Sequence, residues 1–130
     1  ERSVQVGIRT VNEDTMGVHT IDAPEVHESR AKDIAAKIKS IVGDNPVYIS
    51  FDIDALDPAF APGTGTPVSG GLSSAQAMAI LRALAGTNVV GMDLVEVSPP
   101  FDTTGATAIA GAHLAMELLC LWTFNKRART

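Results

Sequence analysis

Hydrophobic residues along this 130-residue chain change their period several times, and each change predicts an element. Val4-Gln5-Val6-Gly7-Ile8 alternates with period two, as a strand does. Residues 10–28 show no clear period and carry Asn12, Gly17 and Pro24, so they read as a long loop. From Ser29 onward, Ala31, Ile34, Ala35, Ile38, Ile41 and Val42 form one helical stripe, with Lys32, Asp33, Lys37 and Lys39 opposite. Gly43 stops that helix. Val47 to Asp54 reads as a second strand, placing Val47, Ile49, Phe51 and Ile53 on one face. A loop rich in Pro and Gly follows, from Pro58 to Gly71. Ser73 and Gln76 then have the spacing of a capping box, opening a helix through Met78, Ile80, Leu81 and Leu84 that ends at Gly86. Val89 to Val97 is a third strand, almost entirely apolar and so expected to be buried on both faces. Pro99 and Pro100 end it, and a last helix is predicted from about Gly105 to Trp122.

The order strand, helix, strand, helix, strand, helix predicts a parallel sheet with right-handed crossovers. Three strands leave exposed edges, and the apolar third strand asks for more sheet beside it, so the chain reads as part of a larger α/β domain. Composition narrows the picture. Apolar residues make up 45% and charged residues 19%, as in an ordinary globular protein. A net charge of −5 argues against a nucleic-acid surface. The basic run Lys126-Arg127-Ala128-Arg129 reads as a frayed tail. The single cysteine, Cys120, excludes an internal disulfide and fits a reducing compartment; its apolar surroundings predict a buried, inert thiol. No signal peptide and no segment of membrane-spanning length is apparent, and the chain is expected in the cytoplasm, away from membranes. It begins at Glu1 without an initiator Met, as a processed or truncated piece would.

Ser50-Phe51-Asp52-Ile53-Asp54-Ala55-Leu56-Asp57-Pro58 carries the candidate chemistry. In a strand, side chains two apart point the same way, so Asp52 and Asp54 would meet at the sheet edge where α/β folds bind ligands. Two anions at one spot resist ionisation unless a cation joins them, which makes a metal site the simplest account. Three other readings compete. The acids could simply be solvated at a strand end. An EF-hand is echoed by Asp52, Asp54 and Asp57, but the third acid falls one place late and the loop glycine is missing. A phosphotransferase of the haloacid dehalogenase type uses Asp-x-Asp after a strand, but continues with Gly-Thr where this chain has Ala55-Leu56.

The metal reading gains from a wider match. Ser50 to Asp54, then Pro58, Pro62-Gly63 and Gly71, resembles the ureohydrolase signature over 22 consecutive positions. Gly63-Thr64-Gly65-Thr66-Pro67 and Asp93-Leu94-Val95-Glu96-Val97-Ser98-Pro99-Pro100-Phe101-Asp102 agree as well, the latter being most similar to agmatinases. The resemblance implies a three-layer α-β-α fold with a parallel sheet, of the arginase/deacetylase type and present here in part. Residues 1–130 would then be the C-terminal portion of one catalytic domain. It implies hydrolysis of a guanidino group, agmatine to putrescine plus urea, in polyamine biosynthesis. Asp52 and Asp54 would ligate two manganese ions, with nickel allowed by ligand type. Two such ions about 3.5–4 Å apart generate a nucleophile at neutral pH. Glu96 would pair with the substrate guanidinium, for which a carboxylate offers a bidentate fork. Without the family match, Glu96 could pair instead with Arg9 or Arg82. Thr66 would offer a hydroxyl to the substrate. Asp57, Asp93 and Asp102 would orient neighbours without touching metal. A small guanidino substrate and a homo-oligomer complete what the resemblance implies.

The family's Gly-Gly-Asp-His and Asp-x-His-x-Asp runs do not occur here, and neither does its catalytic histidine. Of the three histidines, His113 is expected to be a packed core residue, and His19 and His27 to be exposed in the loop. Alone, the chain is expected to bind manganese weakly and to turn over no agmatine. The alternative function is an inactive ureohydrolase remnant serving as an interaction subunit.

Overall fold

The backbone pairs its strands in two separate parallel ladders, which the structure, a computed structural model, describes for residues 2–11 and 14–127. Strands β1 (Val4–Ile8) and β2 (His19–Asp22) form one, and β3 (Val47–Asp52) and β4 (Val89–Val95) form the other. Helices α1 (Ala23–Glu28), α2 (Ala31–Val42), α3 (Ser74–Ala83) and α4 (Ala106–Arg127) cover them. Short 3-10 turns at Ile53–Ala55 and Pro99–Phe101 follow β3 and β4.

Residues 10–28 are not all loop. They contain β2 and α1, and the reason lies in Asp22-Ala23-Pro24-Glu25. Pro24 sits in the first turn, where a missing N–H costs nothing. Asp22 caps that turn by accepting from the Glu25 N–H at 2.8 Å. The proline that suggested a loop therefore starts a helix. Gly7, at φ +86°, interrupts the β1–β2 register between Val6 and Ile8.

The predicted helices 29–42 and 73–86 match α2 and α3, and Ser73 and Gln76 make both bonds of the capping box. The core joins Ile34, Ala35, Ile38 and Val42 of α2 to Ala77, Ile80 and Leu81 of α3, with Ile53, Leu56 and Leu114 fully enclosed. β4 is not buried on both faces as its composition suggested: most of it is half-buried and Val90 is exposed. Among the described residues it has a partner strand on one side only.

The last helix runs five residues beyond Trp122, to Arg127. Lys126 and Arg127 are thus helical, with Lys126 stacked over the Trp122 ring at 5.1 Å, while Ala128 and Arg129 lie outside the described residues. By length and mean hydropathy (1.4), α4 could cross a membrane, contrary to the reading that no segment reaches that length. Here it packs on β4 and α3, with Leu114, Leu118 and Leu121 buried. Two buried polar residues lie near its ends. Thr107 Oγ1 accepts from the Gly63 N–H at 2.7 Å, and Asn125 Oδ1 accepts from the Gly86 N–H at 2.5 Å. Its outer face exposes Cys120 and His113, both expected inside. The error has one cause: an almost uniformly apolar helix gives no periodicity from which to tell its faces.

Replacing Ser73 by Ala removes the α3 cap. Urea unfolding should show the variant destabilised by about 1 kcal/mol with an unchanged slope.

Candidate active site

β3 ends two residues before the sequence suggested, at Asp52, and that changes how the two acids meet. Asp54 is not in the strand but in the 3-10 turn that Asp52 caps, with Asp52 Oδ1 accepting from the Asp54 N–H at 3.0 Å. The carboxyls converge through this turn, not through i, i+2 alternation. The Asp54 carboxyl lies close enough for its negative charge to act on Asp52. Asp52 is held above the ordinary carboxylate range, first by burial, then by the negative charges of Asp54 and Glu96. The site therefore sits at the C-terminal edge of the β3–β4 ladder, where Asp52 pairs in register with Val95.

Glu96 follows directly and ends β4 with φ +65°, a left-handed conformation that side chains other than Gly seldom adopt. Its carboxylate is exposed. Neither arginine considered as a structural partner engages it. Arg82 pairs with Glu117, and Arg9 donates to the carbonyls of Val68 at 2.9 Å and Asp54 at 2.7 Å. Glu96 is thus left facing solvent beside the two aspartates.

The 58–71 loop is tied down from three directions. Asp57 Oδ1 accepts from Ala59 N–H at 2.9 Å, and its Oδ2 accepts from Gly70 and Gly71 N–H at 2.7 and 3.2 Å. Those backbone donors, with Arg9 nearby, hold Asp57 below its ordinary range. Gly71 permits the closure, since a Cβ there would stand 2.5 Å from the Asp57 nitrogen. At the middle of the loop, Thr66 Oγ1 donates to Asp54 Oδ2 at 3.0 Å, so this hydroxyl is directed at the acid pair. Gly63 rests against Asp102 and Thr107, with room for no side chain. Asp102 in turn accepts from the Thr107 and Ala108 N–H groups, capping α4, and these donors lower its carboxyl, Ala108 most.

Asp93 stands apart from this group. Its Oδ2 accepts from the Tyr48 hydroxyl at 3.0 Å, and it lies three residues before Glu96 within β4. His19 and His27 are exposed, as expected, though on β2 and α1 and not in a loop. His27 bonds the Gly70 carbonyl at 3.0 Å and so helps hold the same loop. Sequence reasoning missed this contact and the bracing by Arg9 and Thr107. No local motif announces them, because each joins residues more than 40 positions apart.

The donors fit a hard divalent cation in kind, since carboxylate oxygens suit manganese. They do not fit it in number. Among the described residues, no three His, Cys, Asp or Glu side chains gather closely enough to hold a metal ion.

Comparison with known proteins agrees with this architecture. The model of the arginase family matches residues 1–120, and the chain belongs to that family. It is 55% identical to an agmatinase of Chromobacterium violaceum over 130 residues, all of this chain and 40% of that protein. An agmatinase of Proteus mirabilis is 53% identical, over 97% of this chain and 41% of its own length. The crystal structure of a hypothetical agmatinase from Burkholderia thailandensis superposes with a TM-score of 0.94 at 58% identity, covering 99% of this chain and 41% of that one. The chain thus spans about 40% of the length of these relatives, and its fold is the three-layer arginase-like α/β fold, present in part. Family membership sets the phosphotransferase alternative aside.

Two outcomes follow for the isolated chain. Because the Asp57 carboxyl is lowered in the fold, its ionised form stabilises the chain above the ordinary range near pH 3.8, and this is lost as pH falls through the folded value. Thermal melts of Asp57→Asn should lie below the parent at neutral pH and depend less on pH below about 4. Glu96→Gly should relieve the left-handed strain and leave stability equal or higher by about 1 kcal/mol, whereas Glu96→Val should lower it; chemical denaturation separates the two.

Proposed function

We propose that these residues serve an agmatinase-like hydrolysis of a guanidino group, agmatine to putrescine and urea. The observation that carries this is the convergence of Asp52 and Asp54 beside the unpaired Glu96, on a chain 55% identical to an agmatinase. In this reading Asp52 and Asp54 supply carboxylate ligands to a binuclear manganese centre. When bound, that centre supplies a nucleophilic water at neutral pH. Glu96 receives the guanidinium in a charge-assisted fork, which orients its carbon toward the edge of β3. Thr66 holds Asp54 in place through its hydroxyl, and Asp57 and Asp102 fix the loop and helix that position Thr66 and Gly63.

The aspartates repel until a cation arrives, so burial and mutual charge are offset only in the loaded site. With two carboxylates and no third donor among the described residues, the isolated chain should bind manganese weakly and release no urea. The same reading includes a cytoplasmic homo-oligomer, in keeping with the exposed Ile109, Met116 and Leu119 on α4.

The test is a chimera of the Chromobacterium violaceum agmatinase in which this chain replaces the matching segment. It should release urea from agmatine. Asp52→Asn or Asp54→Asn should lose manganese and lower kcat/KM by more than the roughly 100-fold typical of groups outside the metal's own ligands. Glu96→Gln should raise KM with manganese content unchanged. Full activity and full manganese in both aspartate variants would overturn the assignment, as would urea release by the 130-residue chain alone.

A further inference from the structure

A hydrogen-bond relay runs from α3 through α1 to the loop of the candidate site, and its direction can be read atom by atom. The Ser73 N–H at the start of α3 donates to Gln76 Oε1 at 2.9 Å, so the Gln76 amide turns its oxygen toward Ser73 and its nitrogen away. That nitrogen stands 3.3 Å from His27 Nδ1. An amide nitrogen has only protons to give, so Nδ1 accepts and carries none. The proton of the neutral ring is then on Nε2, which stands 3.0 Å from the Gly70 carbonyl, a group that can only accept. Both sides of the ring thus require the same tautomer. A doubly protonated ring would set an Nδ1–H against the Gln76 amide.

What the relay holds is a single peptide plane. The Gly70 carbonyl accepts from His27, and the N–H at the other edge of the same peptide, that of Gly71, donates to Asp57 Oδ2 at 3.2 Å. Gly70 lies at φ +86° with open space where a Cβ would stand. A peptide between two glycines can turn over at little steric cost, and turning this one would take its N–H away from Asp57. His27 holds the carbonyl edge and Asp57 the N–H edge, and together they fix the plane. Earlier in the same loop, the Thr66 hydroxyl donates to Asp54 Oδ2 at 3.0 Å.

We infer that His27, as the neutral ring protonated on Nε2, is a positioning residue of the candidate site: it fixes the Gly70–Gly71 peptide and, through it, the loop that aims Thr66 at Asp54. The effect on catalysis rests on the hydrolase reading proposed above, whereas the tautomer and the fixed peptide stand without it. His27→Gln keeps both functions on one uncharged amide, an N–H to give and an oxygen to accept, and His27→Ala keeps neither.

Two NMR measurements on the 130-residue chain and one assay test this. With nitrogen-15 histidine at about pH 9, well above the range in which imidazole ordinarily titrates, His27 should show a protonated Nε2 and an unprotonated Nδ1. The Gly71 amide should exchange with solvent about fivefold faster in His27→Ala and at the parent rate in His27→Gln. In the chimera with the Chromobacterium violaceum agmatinase, His27→Ala should lower kcat/KM about fivefold and His27→Gln should restore it. A proton on Nδ1, Gly71 exchange or kcat/KM unchanged by His27→Ala, or a glutamine variant as impaired as the alanine one would each overturn the inference. A parent chimera that releases no urea would overturn the hydrolase reading and the catalytic effect with it, while the two NMR measurements still decide the tautomer and the fixed peptide.

Discussion

One carboxylate closes the structure around its candidate site. Asp57 gathers the N–H groups of Ala59, Gly70 and Gly71, and so turns a segment with no helix or strand of its own into a fixed loop. Beside it, Leu72 donates to the Ala55 carbonyl and Asp57 donates to the Leu72 carbonyl, joining the loop's two ends. Everything the loop delivers depends on that closure. Thr66 reaches Asp54, Gly63 lies against α4, and the Ser98 N–H finds the Gly63 carbonyl at 2.8 Å. The arrangement suits a site because loop residues gain precision only from the scaffold that holds them.

The electrostatics at the same edge run against folding. Burial and like charge both disfavour ionised Asp52, and Glu96 adds a third anion while holding a strained backbone. A fold selected for stability alone would put a neutral side chain at Asp52 and glycine at Glu96. In the proposed reading that local cost belongs to ligand chemistry, and a bound cation would offset it.

How much of this was legible in the sequence depends on how local each signal is. The α2 stripe and the Ser73–Gln76 cap are written within a few residues, and both formed as read. The acid pair was found for a geometric reason that proved incomplete, since Asp52 caps a turn and Asp54 lies outside the strand. β2 and α1 were hidden because Pro24 signals both a loop and a helix start, and only the Asp22 cap decides. Cys120 and His113 were misplaced because α4 is apolar on every side. The contacts of Arg9, His27 and Thr107 could not be read at all, for they link distant parts of the chain through backbone groups.

That uniformity of α4 raises a question of alignment. An apolar cylinder on an apolar sheet could slide or roll with little change in buried area. Thr107 and Asn125 prevent this, as the two buried polar side chains of a 22-residue helix, each matched to one backbone N–H. A slip of one turn, about 5.4 Å, would strand both at once. The helix thus carries its own ruler, with a mark near each end, and the mark at Thr107 is read directly by the loop that holds Thr66.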